Sequence, residues 1–436
     1  MTARVALRGS PAPSGSHPAV TWLWIGGLAF GLRLLTAAAT GAFHRPELFE
    51  YEAIARSLLA GEGFLYHAYG VPYASYLAPL YPWLCAGLYA LTGGSVAAVV
   101  LFQIALSSAH AVLAGTIAQR LFGRPAGAVT GALMACHPGL IIYSSMKLHT
   151  LTLDAFCFTL VLWQFLRLGW ARTIRRSVWA GLSLGLSLLS RATSAVFWPV
   201  GAIWLVATAP PRRRMTALRL AALVAVCAAV VIAPWVVRGA LVHRQFVFIQ
   251  TTSWELFWRG NNPLATGHSY IDRDRTIVDS LPPEVAEELA RQPDELRQVR
   301  WFRDQAFAFI RAHPDAFLQL TLKKLFYFWW MAPQTGLLYP AWWLWGYLFF
   351  YVGLLGLVLA CGAGLAAQGT GEQRQAALLI AGFLLALSIG QSLHYVEGRH
   401  RWGVEPLLLV LAGGGWSWLR ACFAARGGVK GMVVPC

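Results

Sequence analysis

Long apolar runs separated by short basic loops dominate the chain, and most have the length a helix needs to cross a bilayer, about 20 residues. The first covers 20–41; later ones cover 95–119, 126–145, 150–166, 177–190, 194–209, 217–236, 341–363, 376–394 and 403–419. Segment 42–94 breaks the rhythm, because 77–92 is apolar but interrupted by Pro79 and Pro82 and closed by Gly93-Gly94. If 77–92 spanned the membrane, Arg120 and Arg124 would fall on the outer side and the later basic loops would lose phase. Read as interfacial helices outside the cytoplasm, 42–94 keeps the phase. About ten spans result, with both ends of the sequence cytoplasmic. The pair 177–190 and 194–209 decides the rest: each is short, Arg191 lies between them, and a single long helix there would reverse everything downstream.

Polar positions gather in one stretch. Residues 268–315 hold more than half of the 19 acids in the chain. Within it, 284–291 and 295–312 read as two amphipathic helices separated by Pro293. Lys323-Lys324 and the aromatic run 325–331 read as an anchor returning to the membrane. The expected fold is an all-α polytopic membrane protein, with interfacial helices in the first outer loop and a small helical outer subdomain. Its parts are a basic tail 1–19, a membrane module 20–238 containing the outer loop 42–94, an outer subdomain 239–340, and C-terminal membrane helices with a basic tail 341–436.

Composition sharpens this. Only 12% of residues are charged, against roughly a quarter in soluble domains. The net charge of +16 comes from arginines flanking apolar runs (Arg120, Arg124, the run 167–176, Arg212 to Arg214, Arg420), the pattern of cytoplasmic loops facing anionic lipid and not of nucleic-acid binding. The seven cysteines are scattered, without a CxxC or Cys/His grouping, so neither a disulfide framework nor a thiolate metal site is indicated. The first apolar run lacks a small-residue cleavage site and reads as a retained helix.

Candidate chemistry lies on the outer face. Glu47-Leu48-Phe49-Glu50-Tyr51 places two carboxylates and a phenol on one face of a helix at the membrane surface. The plain alternative is an interfacial helix showing polar residues to water. A carboxylate beside a low-dielectric boundary and a second carboxylate instead gains basicity suited to an acceptor hydroxyl. Tyr81 and the tyrosines before it suit a membrane belt or sugar stacking. Lys147, His149 and Asp154 return to that face, as do Arg191, Arg238, the pair Asn261-Asn262, and Arg399 with Arg401. Helix-end charges commonly cap or snorkel. Yet few cations are expected outside the cytoplasm, and guanidinium matches phosphate oxygens in bidentate fashion.

Taken together, these residues resemble the lipid-phosphate-sugar-dependent glycosyltransferases of the C superfamily, family-39 type, which include protein O-mannosyltransferases and the aminoarabinose transferase of lipid A. The matching elements are Glu47 to Tyr51 with the alanine-leucine-glycine helix after it, Pro79-Leu80-Tyr81-Pro82, Leu189-Ser190-Arg191, Pro234-Trp235 with Arg238, Gly260-Asn261-Asn262-Pro263, and Arg399-His400-Arg401. They are colinear over nearly the whole chain. The family's leading acid is usually Asp where Glu47 stands, so either Glu47 or Glu50 carries the role.

The resemblance implies a multi-pass enzyme of the bacterial inner membrane, with its active face periplasmic. It would move a sugar from a polyprenyl-phosphate donor to a glycan, lipid or protein acceptor. Glu47 and Glu50 would be catalytic. Arg191, Arg238, Arg399 and Lys147 would hold the donor phosphate, and Tyr51, Tyr81, Asn261, Asn262, Arg401 and Asp154 would contact substrate. No cofactor is required, and no ligand spacing demands a divalent metal. Two readings from other classes remain. A flippase of lipid-linked glycans would place ionisable groups at the midplane of inverted repeats, a pattern the sequence lacks. A non-catalytic scaffold would leave both glutamates dispensable.

Overall fold

The computed structural model describes residues 18–272, 275–332 and 339–428. Most of the basic tail 1–19 and the last residues of the C-terminal tail lie outside the described residues. In chain order the helices begin with α1 (Pro18–Ala39) and α2 (Glu50–Leu59). A hairpin of β1 (Tyr66–Ala68) and β2 (Val71–Tyr73) follows, with Tyr66 opposite Tyr73. Next come α3 (Leu80–Thr92), α4 (Val96–Phe122), α5 (Arg124–Ala135), α6 (Pro138–Ser145), α7 (Leu151–Trp170), α8 (Ile174–Ser190), α9 (Phe197–Ala207) and α10 (Arg214–His243). The outer helices are α11 (Ser253–Arg259), α12 (Pro283–Ala290), α13 (Glu295–Ala312) and α14 (Pro314–Trp329). The chain continues through α15 (Ala341–Gln368), α16 (Gly371–Ser392), α17 (Gly398–Trp402) and α18 (Glu405–Gly428). This is a multi-pass, all-α membrane protein.

Among the described residues, seven helices are long and apolar enough to cross a membrane, or eight if α5 and α6, bent by 52°, form one span. Of the ten expected spans, these account for eight. The two left over are α8, with 17 residues, and α9, with 11. At 1.5 Å per residue they rise about 26 and 17 Å, short of a hydrocarbon core of about 30 Å. They are nevertheless separate: Arg191 between them is extended (φ −154°, ψ 118°), so the chain reverses there and the later helices stay in phase. The 13-residue α3 is also too short to span.

The alternation gives the bundle two unlike ends. At one end, Arg120 of α4 pairs with Glu372 of α16 at 2.9 Å, Gln373 donates to the Leu121 carbonyl, and Arg172 donates to Thr208. This end carries the basic loops. The other end gathers 40–50, 146–150, 191–196, 244–252 and 393–404, each at a break between helices.

Close packing brings these breaks together. A Cβ on Gly415 of α18 would lie 1.9 Å from the Leu357 carbonyl oxygen of α15, and one on Gly413 would lie 2.2 Å from Thr130 Oγ1 of α5. Small residues let membrane helices approach in this way. The bend between α5 and α6 has its own supports. Buried Arg33 of α1 donates to the Met134 and Ala135 carbonyls at the end of α5, while His137 Nδ1 accepts from Leu140 N at the start of α6. The redirected chain then delivers Lys147 beneath the first outer loop. There Glu47 N donates to Met146 O at 2.8 Å and Leu148 N donates to Glu47 O at 2.9 Å, a parallel bridge.

The predicted outer helices are present as α12 and α13. Glu295, at the first turn of α13, accepts from Ala74 N, Ser75 N and Thr251 Oγ1, and Tyr73 OH donates to Gln298 Oε1. These contacts fasten the hairpin and the acid-rich helices into one cover over the loop-bearing end.

Candidate active site

Beneath that cover is a cavity of about 500 Å³ with Glu50, Tyr51, Arg191 and Arg399 on its walls. Glu50 opens α2, and its carboxylate has no hydrogen-bond or ion-pair partner among the described residues. Arg191 occupies the break after α8, and its Nη1 donates to Asp154 Oδ2 at 3.0 Å. Asp154, wholly buried near the start of α7, also accepts from Thr150 Oγ1 at 3.0 Å and Ser190 Oγ at 2.5 Å. Asp154 therefore orients Arg191 from behind and is not available to substrate, contrary to the sequence expectation.

Arg399 is held similarly. Its guanidinium donates to Glu397 (Nε to Oε2, 3.0 Å) and to Tyr395 OH (3.3 Å). Burial alone would raise the Glu397 pKa, but Arg399, His268 and the Ser269 hydroxyl outweigh it and hold the carboxyl below its usual range. Glu397 is thus an anion, and Arg399 a fixed cation.

Sequence reasoning missed a third guanidinium. Arg259, at the end of the seven-residue α11, donates to Glu255 Oε1 from Nε at 2.9 Å, and both line the cavity. The available signal was an acid and a base four residues apart inside the aromatic stretch Ser253-Trp254-Glu255-Leu256-Phe257-Trp258-Arg259, in a chain otherwise poor in acid.

Three histidines complete the walls. His149 packs edge-on against Phe49 and Tyr51 at 4.9 and 5.4 Å, and its Nδ1 accepts from Leu151 N, so Nε2 carries the hydrogen. Burial first, then Arg399 and Arg191, pushes its pKa well below the ordinary value. His400 is lowered for the same reasons. His394 is lowered chiefly by burial, and its Nδ1 faces the Gly390 carbonyl. All three are neutral donors at physiological pH. Tyr51 stays protonated, its pKa raised by burial and then by Asp154, with Arg191, Glu50 and Arg399 all within electrostatic reach.

Glu47 takes a different place. With Lys147, whose Nζ lies 2.7 Å from Glu47 Oε2, it lines a neighbouring chamber of about 170 Å³ that shares Phe49 and Arg399 with the main cavity. The two glutamates are thus separated, one engaged and one free. The acid and guanidinium expected to converge, Glu47 and Arg399, do line one pocket.

Other candidates take supporting roles. Arg238 donates to Ala74 O and Ser75 Oγ and lies over Trp235. Asn261 donates to the Phe257 and Leu393 carbonyls and accepts from Lys324 Nζ, while Asn262 donates to Trp258 O and caps Leu264 N. Arg401 donates to Glu405, Tyr347 and the Phe328 and Trp330 carbonyls. Tyr81 OH donates to Gln103 Oε1. None of these five lines the cavity. The donors of Asn261, Asn262, Arg401 and Tyr81 are already satisfied, which leaves them no group for phosphate or sugar, whereas Arg238 makes both of its bonds through Nη1. Among the described residues no group of three His, Cys, Asp or Glu side chains is placed to hold a metal ion.

Comparison with known proteins bears on the arrangement. Residues 76–237, less than half of the chain, match the family described as dolichyl-phosphate-mannose-protein mannosyltransferase. The crystal structure of ArnT from Cupriavidus metallidurans bound to undecaprenyl phosphate superposes with a TM-score of 0.56 at 15% identity, over 94% of this chain and 64% of that one. The two share one fold. A second structure, the oligosaccharyltransferase AglB from Archaeoglobus fulgidus with an inhibitory peptide and a dolichol-phosphate, gives a TM-score of 0.55 at 12% identity, over 95% of this chain and 52% of that one. The chain thus spans just under two thirds of ArnT and about half of AglB. Among curated proteins, none matches the sequence. The family match includes Asp154 and Arg191, while Glu50 and Arg399 stand outside it.

Proposed function

We propose that the chain is a glycosyltransferase that moves a sugar from a polyprenyl-phosphate carrier to an acceptor hydroxyl at the periplasmic face of a bacterial inner membrane. The observation that carries this reading is the free Glu50 carboxylate sharing one cavity with two guanidiniums, Arg191 and Arg399, each held by its own buried acid. The ArnT structure bound to undecaprenyl phosphate and the AglB structure in complex with a dolichol-phosphate support a lipid-phosphate donor.

Glu50 takes the acceptor proton as the acceptor oxygen bonds to the anomeric carbon. The bond from that carbon to the phosphate oxygen breaks, and its electron pair stays on the lipid phosphate. The leaving group is an anion and needs no proton. Arg191 and Arg399 stabilise it, with Nε2–H of His149 as a neutral donor. Such a single displacement inverts the anomeric centre. Asp154 and Glu397 fix the guanidiniums in advance, and Lys147 with Glu47 closes the neighbouring chamber.

The test compares glycolipid and glycoprotein mass profiles of a deletion strain with strains restored by wild type, Glu50→Gln or Arg191→Gln. A mass increment of one sugar should return with wild type alone. Its return with Glu50→Gln removes the catalytic assignment. The basic end of the bundle supports cytoplasmic placement of 120–124, 167–176 and 212–214.

A further inference from the structure

The cavity walls say what kind of acceptor such an enzyme takes. Three guanidiniums, Arg191, Arg259 and Arg399, face the space, and Asp154, Glu255 and Glu397 already neutralise them one by one. Two more carboxylates, Glu50 and Asp279, line the cavity, while the three imidazoles on its walls carry no charge. The described groups can therefore receive one phosphate between Arg191 and Arg399, but they hold no cation for a second anion.

The other half of the cavity is acidic and aromatic. Glu255 is 2% exposed, its Oε1 accepts from Arg259 and Tyr69 OH, and its Oε2 has no partner. A buried acceptor atom left unmet needs a donor. Tyr66 and Tyr76, with ring centroids 4.6 Å apart, lie within the fields of both Glu50 and Glu255. Tyr66 also forms part of an open groove of about 440 Å³ along α2, with Ser57, His67, Glu62 and Arg56, the last paired with Glu52.

We infer that this half binds a neutral saccharide and rejects phosphorylated acceptors. Hydroxyls of the sugar donate to Glu255 and Glu50, its apolar face lies on the tyrosines, and further sugar units continue into the groove. A phosphate there would set lone pairs against Glu255 and Glu50, where the charge of Arg259 is already taken up by Glu255. The inference rests on the transferase reading above and narrows its acceptor from lipid, glycan or protein to glycan.

The experiment uses the full chain in nanodiscs saturated with undecaprenyl phosphate, whose binding is first measured alone. Maltotriose, chitobiose and glucose 6-phosphate are then offered separately, and saturation-transfer NMR reads contact with the protein. At least one neutral oligosaccharide should show transfer, and glucose 6-phosphate none. In Glu255→Gln, and independently in Tyr66→Ala, that transfer should fall at least tenfold, with the melting temperature of each variant confirming its fold. Glucose 6-phosphate engaging the lipid-loaded protein as well as the neutral sugars overturns the inference, and so does silence from both neutral sugars. Failure of undecaprenyl phosphate to bind at the outset overturns the donor reading instead.

Discussion

Arg399 and Arg401 stand two residues apart on α17, yet one lines the cavity and the other is sealed among Glu405, Tyr347 and two carbonyls. Sequence spacing places both at the same membrane face. Which of them turns inward depends on what packs against each side of a five-residue helix, and nothing local to the sequence records that. The same holds for Glu47 and Glu50. Glu50, Tyr51, Arg191 and Arg399 were legible because charged groups at helix ends outside the cytoplasm are rare and stand out. Asp154 was legible as an acid but not as a support, because its partners Thr150 and Ser190 come from different helix ends.

Predictions at this scale separate direct from supporting roles. Glu50→Gln should lower turnover by about 10²- to 10⁴-fold, read as product mass per time, while undecaprenyl phosphate still binds. Glu47→Gln should cost much less, because Glu50 stays in place. Asp154→Asn should weaken donor binding and also lower the melting temperature, since it leaves the Arg191 guanidinium without its buried anion.

At the scale of elements, the length rule decided what was readable. Apolar runs announced every long helix, and also the shorter α8 and α9, which run between the two ends of the bundle although each rises less than the hydrocarbon thickness. Packing adds a prediction. Gly415→Val should abolish the seating of α18 on α15, seen as loss of folded protein in detergent, because the Leu357 carbonyl oxygen occupies the space of any Cβ. A second concerns α14. Lys324 is wholly buried, donates to Gly260 O and Asn261 Oδ1, and burial lowers its pKa to about 7. Above that value the unfolded chain holds a proton that the folded chain lacks, up to the ordinary lysine value of 10.5. Stability should therefore rise with pH from about 7 toward 10 and be level below it, and Lys324→Met should flatten that slope in pH-dependent melting curves.

Across the whole molecule, charge phase along the chain was the surest guide, because the chain reverses at Arg191 as that phase requires. The structure sets Arg120, Arg172 and Glu372 at one end and the cavity at the other. Single cysteines at 50, 191 and 399 should react with a membrane-impermeant thiol reagent from the same side, and a cysteine at 120 only after permeabilisation. Any pair among the first three reporting opposite sides contradicts the arrangement.

The paired backbone of Glu47 and Lys147 has a practical consequence for anyone exchanging parts between such proteins. Two stretches a hundred positions apart in the chain are stitched edge to edge, so a graft of 42–94 alone arrives without the seam it was cut from. Transplanting 143–150 along with it would carry both sides of that seam, and only the double graft should restore activity in a chimaera.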